Sequence, residues 1–277
     1  MNIYREISQK LIRLIAIILI IALIIGVSIY VTNGKINFFI IILGLIDIGL
    51  LVAALYEYQA IKDQRIEDLK KFAELRKYIF TENPDDNIVL EFKDFSNTRK
   101  ILMPPYMHST KNLLVPSNSS IQKKPLIITI ATTVSSGDTR TIYNTQVYKY
   151  KTGTNIPKFY LAGGYSFSLS HIFSYRSLYK SVKDLEEVNI SKFNFPKNSY
   201  KLFSSDPNIS KFFTKDFIDL LNIGLKKKKE TLYIESNGQD IIFYVMFKRH
   251  SLTGMDFFIN LFNVLIESLK IQDINEK

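Results

Sequence analysis

Residues 14–31 read LIAIILIIALIIGVSIYV and residues 36–56 read INFFIIILGLIDIGLLVAALY, and these two apolar runs decide the class of protein. Only Ser28 and Tyr30 carry polar side chains in the first run. A helix of that length spans about 27 Å, which is close to the hydrocarbon thickness of a bilayer. A helix in a soluble core is expected to carry a polar stripe, and the first run has none. We therefore predict two transmembrane helices.

A cleaved signal peptide is the alternative interpretation of the first run. Arg5, Lys10 and Arg13 would supply its basic region. The apolar run, however, exceeds the usual ~7–15 residues, and no small-residue cleavage site follows it. The connector 32–35 reads TNGK, which is typical of a short turn between antiparallel neighbours. The sequence thus predicts a retained helical hairpin that anchors the protein through residues 1–58.

The distribution of Lys and Arg predicts the orientation of the hairpin. Three basic residues precede the first helix, whereas the turn carries only Lys35. Six more follow the second helix: Lys62, Arg65, Lys70, Lys71, Arg76 and Lys77. Because basic flanks stay on the cytoplasmic side, we expect both termini in the cytoplasm of a multi-pass cell-membrane protein.

Asp47 is the one ionisable residue inside the predicted second helix. A carboxylate at that depth costs about 2.5–3.5 kcal/mol on insertion scales, which makes it a candidate functional residue. Gly44 and Ala54 lie on the same helical face, and small residues beside an acid favour helix–helix contact. Three interpretations remain open: contact with a second copy or a membrane partner, a protonated Asp that bonds a backbone carbonyl, and ion conduction.

The chain after the membrane changes character twice. Residues 57–80 show apolar positions at helical spacing, which predicts a helical stalk over residues 59–81. The polar segment ENPDDN at 82–87 breaks this pattern. We therefore expect a soluble domain over residues 88–277.

The soluble part alternates strand and helix signals. Gly137-Asp138 and Asn237-Gly238 each separate two runs rich in Thr, Ile, Val and Tyr, which predicts two β-hairpins, the second with a type I′ turn. Residues 209–225 and 255–271 have apolar side chains on one helical face. Antiparallel hairpins with amphipathic helices predict an α+β domain with the helices on one face of the sheet.

Known catalytic patterns are absent from the sequence. The chain has no Cys, which excludes disulfides, thiolate catalysis and Cys-ligated metals. It contains no phosphate-binding glycine loop, and the elbow-like segment around Ser166 lacks its second glycine. His108, His171 and His250 have no partner at ligand spacing, so we expect each to be a surface or loop residue. We predict no cofactor and no metal, although carboxylates from distant segments could still meet in a site.

Lys226, Lys227, Lys228 and Lys229 form the densest run of charge in the chain. Contact with anionic lipid headgroups is one interpretation, because each lysine near such a surface contributes about 1 kcal/mol. A solvated loop after a helix C-terminus is the other interpretation. No nucleic-acid-binding signature accompanies the lysines, so we expect no nucleic-acid partner.

Three segments resemble a pattern found in prokaryotic membrane proteins of unknown function. They are 141–163, 195–206 and 232–245, with the themes PKFYL and FPKNSYKLFSSD. Proteins of that kind carry two N-terminal membrane helices and a soluble C-terminal domain. The resemblance implies the same organisation here and assigns no activity or catalytic residue.

The function predicted from the sequence is a membrane-anchored cytoplasmic interaction or scaffold module. A membrane-tethered enzyme of unrecognised class is the alternative, and a small transporter or channel subunit is the third. The first rests on the anchor, the stalk and the lack of catalytic motifs. The expected partners are the bilayer, anionic lipid headgroups, and a second copy or a membrane partner through the second helix.

Overall fold

The structure is a computed structural model that describes most of the chain after residue 37. The described ranges are 38–103, 108–117, 124–136, 139–153, 155–163, 185–190, 200–226, 232–245 and 248–275, with six single residues before them. The chain forms two compact units, Met1–Glu67 and Asp68–Lys277.

The first unit contains most of a long helix, α1 (Phe38–Arg76). Within the described residues, one helical stretch, Gly44–Arg76, is long and apolar enough to cross a membrane. Its large apolar side chains from Leu45 to Leu55 are exposed. The prediction of a helix that continues beyond residue 56 is confirmed. Of the predicted first span, only Ile20, Ile24, Gly26, Val27, Ile29 and Val31 are described, all helical, so the hairpin itself lies largely outside the described residues.

The second unit is an α+β domain, as the sequence predicts. Its strands are β1 (Tyr78–Thr81), β2 (His108–Pro116), β3 (Leu126–Ser136), β4 (Thr139–Lys151), β5 (Phe159–Gly163), β6 (Glu186–Val188), β7 (Tyr200–Ser204), β8 (Leu232–Ser236) and β9 (Asp240–Val245). Its helices are a 3-10 helix (Asp86–Phe92), α2 (Ser96–Leu102), a second 3-10 helix (Ile209–Phe212), α3 (Lys215–Lys226) and α4 (Leu252–Asn275). The described strands form one antiparallel sheet in the order β1-β2-β3-β4-β9-β8-β5-β7-β6.

Both predicted hairpins are present, but the second turn differs from the expected type. β3 pairs with β4 across residues 137 and 138, and β8 pairs with β9. In the second turn only Gly238 has a positive φ, of 103°, whereas a type I′ turn needs two such residues. The Asn237 side-chain oxygen instead accepts hydrogen bonds from the backbone N–H groups of Gln239 and Asp240, which stabilises the turn.

One face of the sheet carries the larger core. Helices α3 and α4 pack on it through Phe217 and Phe262, together with Phe72 from the last turns of α1. Phe243 of β9 stacks on Phe262 with ring centroids 3.6 Å apart. The two long amphipathic helices thus lie on one face of the sheet, as the sequence predicts.

The opposite face is covered as well, which corrects the expectation of helices on one face only. Residues 86–103, hereafter the strap, comprise the first 3-10 helix, α2 and Met103. Its buried side chains Phe92, Phe95, Leu102 and Met103 pack on Ile128, Ile130, Val147, Ile242 and Tyr244. The helical signal of the strap was missed because α2 has only seven residues.

Several element bounds also differ from the prediction. α1 ends at Arg76, and the C-terminal part of the predicted stalk forms β1 of the sheet, so residues 68–87 belong to the second unit. The predicted helix 209–225 divides at Thr214, whose hydroxyl accepts a hydrogen bond from the Phe217 N–H and begins α3 there. Ser251 begins α4 in the same way by accepting from the Gly254 N–H.

Candidate functional site

A row that contains two charged side chains crosses the strap-covered face of the sheet. Lys149 of β4 lies opposite Ile242 of β9, which in turn lies opposite Glu235 of β8. Glu235 lies opposite Tyr160 of β5. Directly paired residues point to the same face of a sheet, so these four side chains are neighbours. We treat this row as the candidate site.

Glu235 is a buried carboxylate whose two oxygens are both occupied. Oε1 accepts hydrogen bonds from the backbone N–H and side-chain amide of Asn97, at 3.1 and 3.0 Å. Oε2 accepts from the backbone N–H and hydroxyl of Thr98, both at 2.8 Å. Burial raises the pKa of Glu235, and the hydrogen bonds from Thr98 and Asn97 oppose this shift. The residue is 4% exposed and fastens the first turn of α2 to the sheet.

Lys149 is the second buried ionisable residue of the row. Its Nζ lies 2.6 Å from Glu91 Oε2 in the strap and 3.2 Å from Asp240 Oδ2 in β9. The lysine side chain is 6% exposed, whereas that of Glu91 is 43% exposed. The hydrogen bond from Lys149 lowers the pKa of Glu91. Lys149 therefore provides a second electrostatic attachment of the strap.

Three buried tyrosines surround Glu235. Tyr233 stacks on Tyr244 with centroids 5.2 Å apart, and Tyr160 lies beside the acid in the neighbouring strand. Burial raises the pKa of both Tyr160 and Tyr244 well above the usual value, and the nearby Glu235 raises it further. The phenols of Tyr160 and Tyr244 therefore stay neutral near pH 7 and can act as hydrogen-bond donors.

The arrangement is suited to holding a segment rather than to transferring protons. A general base needs a lone pair that faces substrate, and each oxygen of Glu235 already accepts two hydrogen bonds. Within the described part of the chain, no group of three His, Asp or Glu side chains could hold a metal ion. The row attaches the strap to the sheet through the Glu235 carboxylate and the Lys149 ammonium group.

The residues predicted from sequence belong to two helices and to a segment outside the described residues. Gly44, Asp47 and Ala54 all belong to α1, and Ala54 is partly exposed. Lys226 is the last residue of α3, and Lys227, Lys228 and Lys229 lie outside the described residues. Both sets therefore stay predictions from the sequence.

His250 lies in the loop before α4, as one of the two predicted alternatives has it, but it is not at the surface. His250 is buried, and a hydrogen bond of 2.8 Å joins its Nδ1 to the Tyr148 hydroxyl on the face opposite the strap. Its ring also lies 4.2 Å from that of Phe258. His108 is the partly exposed first residue of β2. His171 and Ser166 lie outside the described residues.

Sequence reasoning missed Glu235 and Lys149, although one signal pointed to their surroundings. The run IIFYV at residues 241–245 is apolar without interruption. Such a run is typical of a strand that is buried on both faces. All five residues are buried, so the run indicated that something covers the second face. It did not indicate which segment provides the cover.

Comparison with known proteins gives a structural similarity and no sequence match to a family model or a curated protein. Among solved structures, the chain is similar to the crystal structure of the mycobacterial trehalose monomycolate transport factor A. The two share 12% sequence identity with a TM-score of 0.42, and the match covers 73% of this chain and 94% of that chain.

Proposed function

We propose that this protein is a two-span membrane protein whose second unit is a cytoplasmic interaction module. The observation that carries the proposal is the exposed apolar surface of α1. Leu45, Ile48, Val52 and Leu55 are all exposed on one long helix. Apolar surface of this extent is stabilised by lipid rather than by water. The second unit has a core of its own on each face of its sheet, as a tethered domain requires.

The orientation is tested by cysteine labelling, because the chain has no native Cys. Lys35→Cys lies in the predicted external turn, and Lys215→Cys lies at the exposed start of α3. A membrane-impermeant maleimide added to intact cells should label position 35 and spare position 215. Permeabilised cells, in which both positions should react, provide the control. Labelling at position 215 in intact cells would place the second unit outside the cytoplasm and overturn the proposal.

The interaction role is tested by photo-crosslinking in cells. Ile142 and Ile223 are large apolar residues of the second unit that stay 63% and 68% exposed. A photoreactive amino acid at each position should give a discrete protein adduct if this unit binds a partner. The matched control places it at buried Ile128, where only intramolecular products are expected. Absence of adducts at every exposed position of the unit would contradict an interaction module.

We further propose that α1 contacts a second copy through the face of Gly44, Asp47 and Ala54. Small residues allow close approach of two helices, and a carboxyl group provides a hydrogen bond between them. Ala54→Cys should form a disulfide-linked dimer in oxidised membranes. Val52→Cys is the matched control, since it lies about 160° away around the helix at similar depth. Equal cross-linking at both positions would exclude this face.

The lysine run Lys226–Lys229 is proposed to contact anionic lipid headgroups. The full chain in nanodiscs of anionic lipid should show slower amide exchange at 226–231 than in zwitterionic nanodiscs. High salt should remove the difference, because screening weakens charge attraction. Equal exchange in both lipids at low salt would contradict lipid contact.

A further inference from the structure

The strap lies in the connection between β1 and β2. These two strands also pair directly with each other, at the ends of this connection. β1 pairs with β2, with Thr81 opposite Leu113. The Asn112 N–H also donates to the Glu82 carbonyl at 2.7 Å. The described residues from Asn83 to Met103 therefore lie outside the sheet, and the chain is part of the sheet again at His108. Lifting the strap from the sheet breaks none of the described strand pairs.

The hydrogen bonds that hold the strap to the sheet use sheet side chains. Glu235 binds Asn97 and Thr98, and Lys149 binds Glu91. Thr132 adds a third attachment from β3, since its hydroxyl donates to the Leu102 carbonyl at 2.8 Å. The strap also has hydrogen bonds of its own between nearby backbone groups, such as the bond from the Phe95 N–H to the Phe92 carbonyl. It can therefore keep part of its local structure when these contacts are released.

Two of the three attachment points, Glu235 and Lys149, are ionisable groups, which lowers the free-energy cost of separating the strap from the sheet. A permanently covered sheet face is often at least as stable with apolar residues in place of buried charges. When the strap lifts, the Glu235 carboxylate and the Lys149 ammonium group regain water, which partly offsets the loss of apolar contact. Segments of this kind commonly open at a lower free energy than global unfolding requires.

We propose that the strap opens as a unit while the sheet beneath it stays paired, and that the contacts of Glu235 set how often it opens. Opening uncovers Glu235, Ile242 and Tyr244 on the sheet, and Phe92 and Phe95 on the strap. The covered face thus becomes an aromatic surface flanked by one acid and one base. The proposed opening of the strap does not depend on the membrane anchor or on its orientation.

Hydrogen exchange of the full chain in detergent micelles tests the proposal. Glu235→Ala removes four acceptor contacts and should accelerate exchange across residues 86–103 by about tenfold or more, which corresponds to the loss of about 1.4 kcal/mol or more. Exchange in β9 should stay within about twofold of the unsubstituted protein.

Glu187→Ala is the matched control for this substitution. Glu187 lies on the same face of the sheet, in the exposed edge strand β6, and its carboxylate pairs only with the exposed Lys201 in the contacts described. It should change exchange in neither segment. Equal acceleration of the strap and β9 by Glu235→Ala would overturn the proposal.

A second measurement uses the unsubstituted protein and so does not depend on a variant that folds. Amides of the strap should exchange through an opening that depends weakly on low urea concentrations, because opening exposes less surface than global unfolding does. Amides of β9 should show the steep urea dependence of global unfolding. A common steep dependence in both segments would refute separate opening of the strap.

Discussion

Tyr200 links β7 to β8, and we predict that its ionisation destabilises the protein at alkaline pH. Its hydroxyl oxygen accepts a hydrogen bond from the Leu232 N–H at 3.2 Å. Burial raises the pKa of Tyr200 from 10.0 to about 12, and that hydrogen bond opposes the shift. A group with a raised folded-state pKa contributes stability that is complete below its unfolded pKa and is lost as the pH rises through the folded value. The window for Tyr200 is therefore pH 10 to 12.

The two pKa values of Tyr200 give the size of the effect. The linkage relation predicts a loss of about 1.4 kcal/mol from Tyr200 at pH 11 and about 2.3 kcal/mol at pH 12. Tyr200→Phe removes the ionisable group and leaves the Leu232 N–H without its acceptor, which costs about 1 kcal/mol at every pH. The variant should thus be less stable at pH 8 and should lose about 1.4 kcal/mol less than the unsubstituted protein by pH 11.

Urea unfolding of both proteins at pH 8 and pH 11, followed by far-UV circular dichroism, measures this difference. The other buried tyrosines, including Tyr160 and Tyr244, titrate in both proteins and cancel in the comparison. The same free-energy gap at both pH values would show that the Tyr200 phenol does not resist ionisation in the folded protein, and would refute the reasoning.

Three further substitutions test the packing, the turn and one surface ion pair by thermal or urea unfolding. Phe243→Ala should cost about 3–5 kcal/mol, because its ring stacks on Phe262 in the larger core. Gly238→Ala should cost about 1 kcal/mol or more, because φ is +103° at that position. Arg76→Gln should cost less than about 1 kcal/mol, because its ion pair with Asp256 is largely exposed. A cost above 2 kcal/mol for Arg76→Gln, or below 1 kcal/mol for Phe243→Ala, would contradict these assignments.

Features determined by short-range sequence could be predicted. The pairs Gly137-Asp138 and Asn237-Gly238 located both hairpins because turn chemistry is local. The spacing of Phe258, Leu261 and Leu265 located α4 for the same reason, since the apolar face of a helix repeats every three or four residues.

The candidate site could not be predicted because its contacts join distant parts of the chain. Glu235 binds Asn97, which lies 138 residues earlier in the sequence. No spacing rule connects these positions, and Asn97 lies in a helix that is too short to show a periodic pattern. The burial of His250 could not be predicted for a related reason, because its partner Tyr148 lies 102 residues away.

A charged residue inside an apolar strand can face water, or it can face a covering segment that binds the charge. The sequence of that strand alone does not distinguish these two explanations. In Tyr148-Lys149-Tyr150 the lysine alternates with aromatic residues, which usually indicates a strand with one face in water. The neighbouring β9 has no such alternation, and a strand between β4 and β8 cannot be buried on both faces while its neighbours leave one face open. Lys149 and Glu235 must therefore face a covering segment rather than solvent. The apolar run of β9 thus indicates that a segment covers this face of the sheet. Only the packing of Phe92 and its neighbours identifies that segment as the strap.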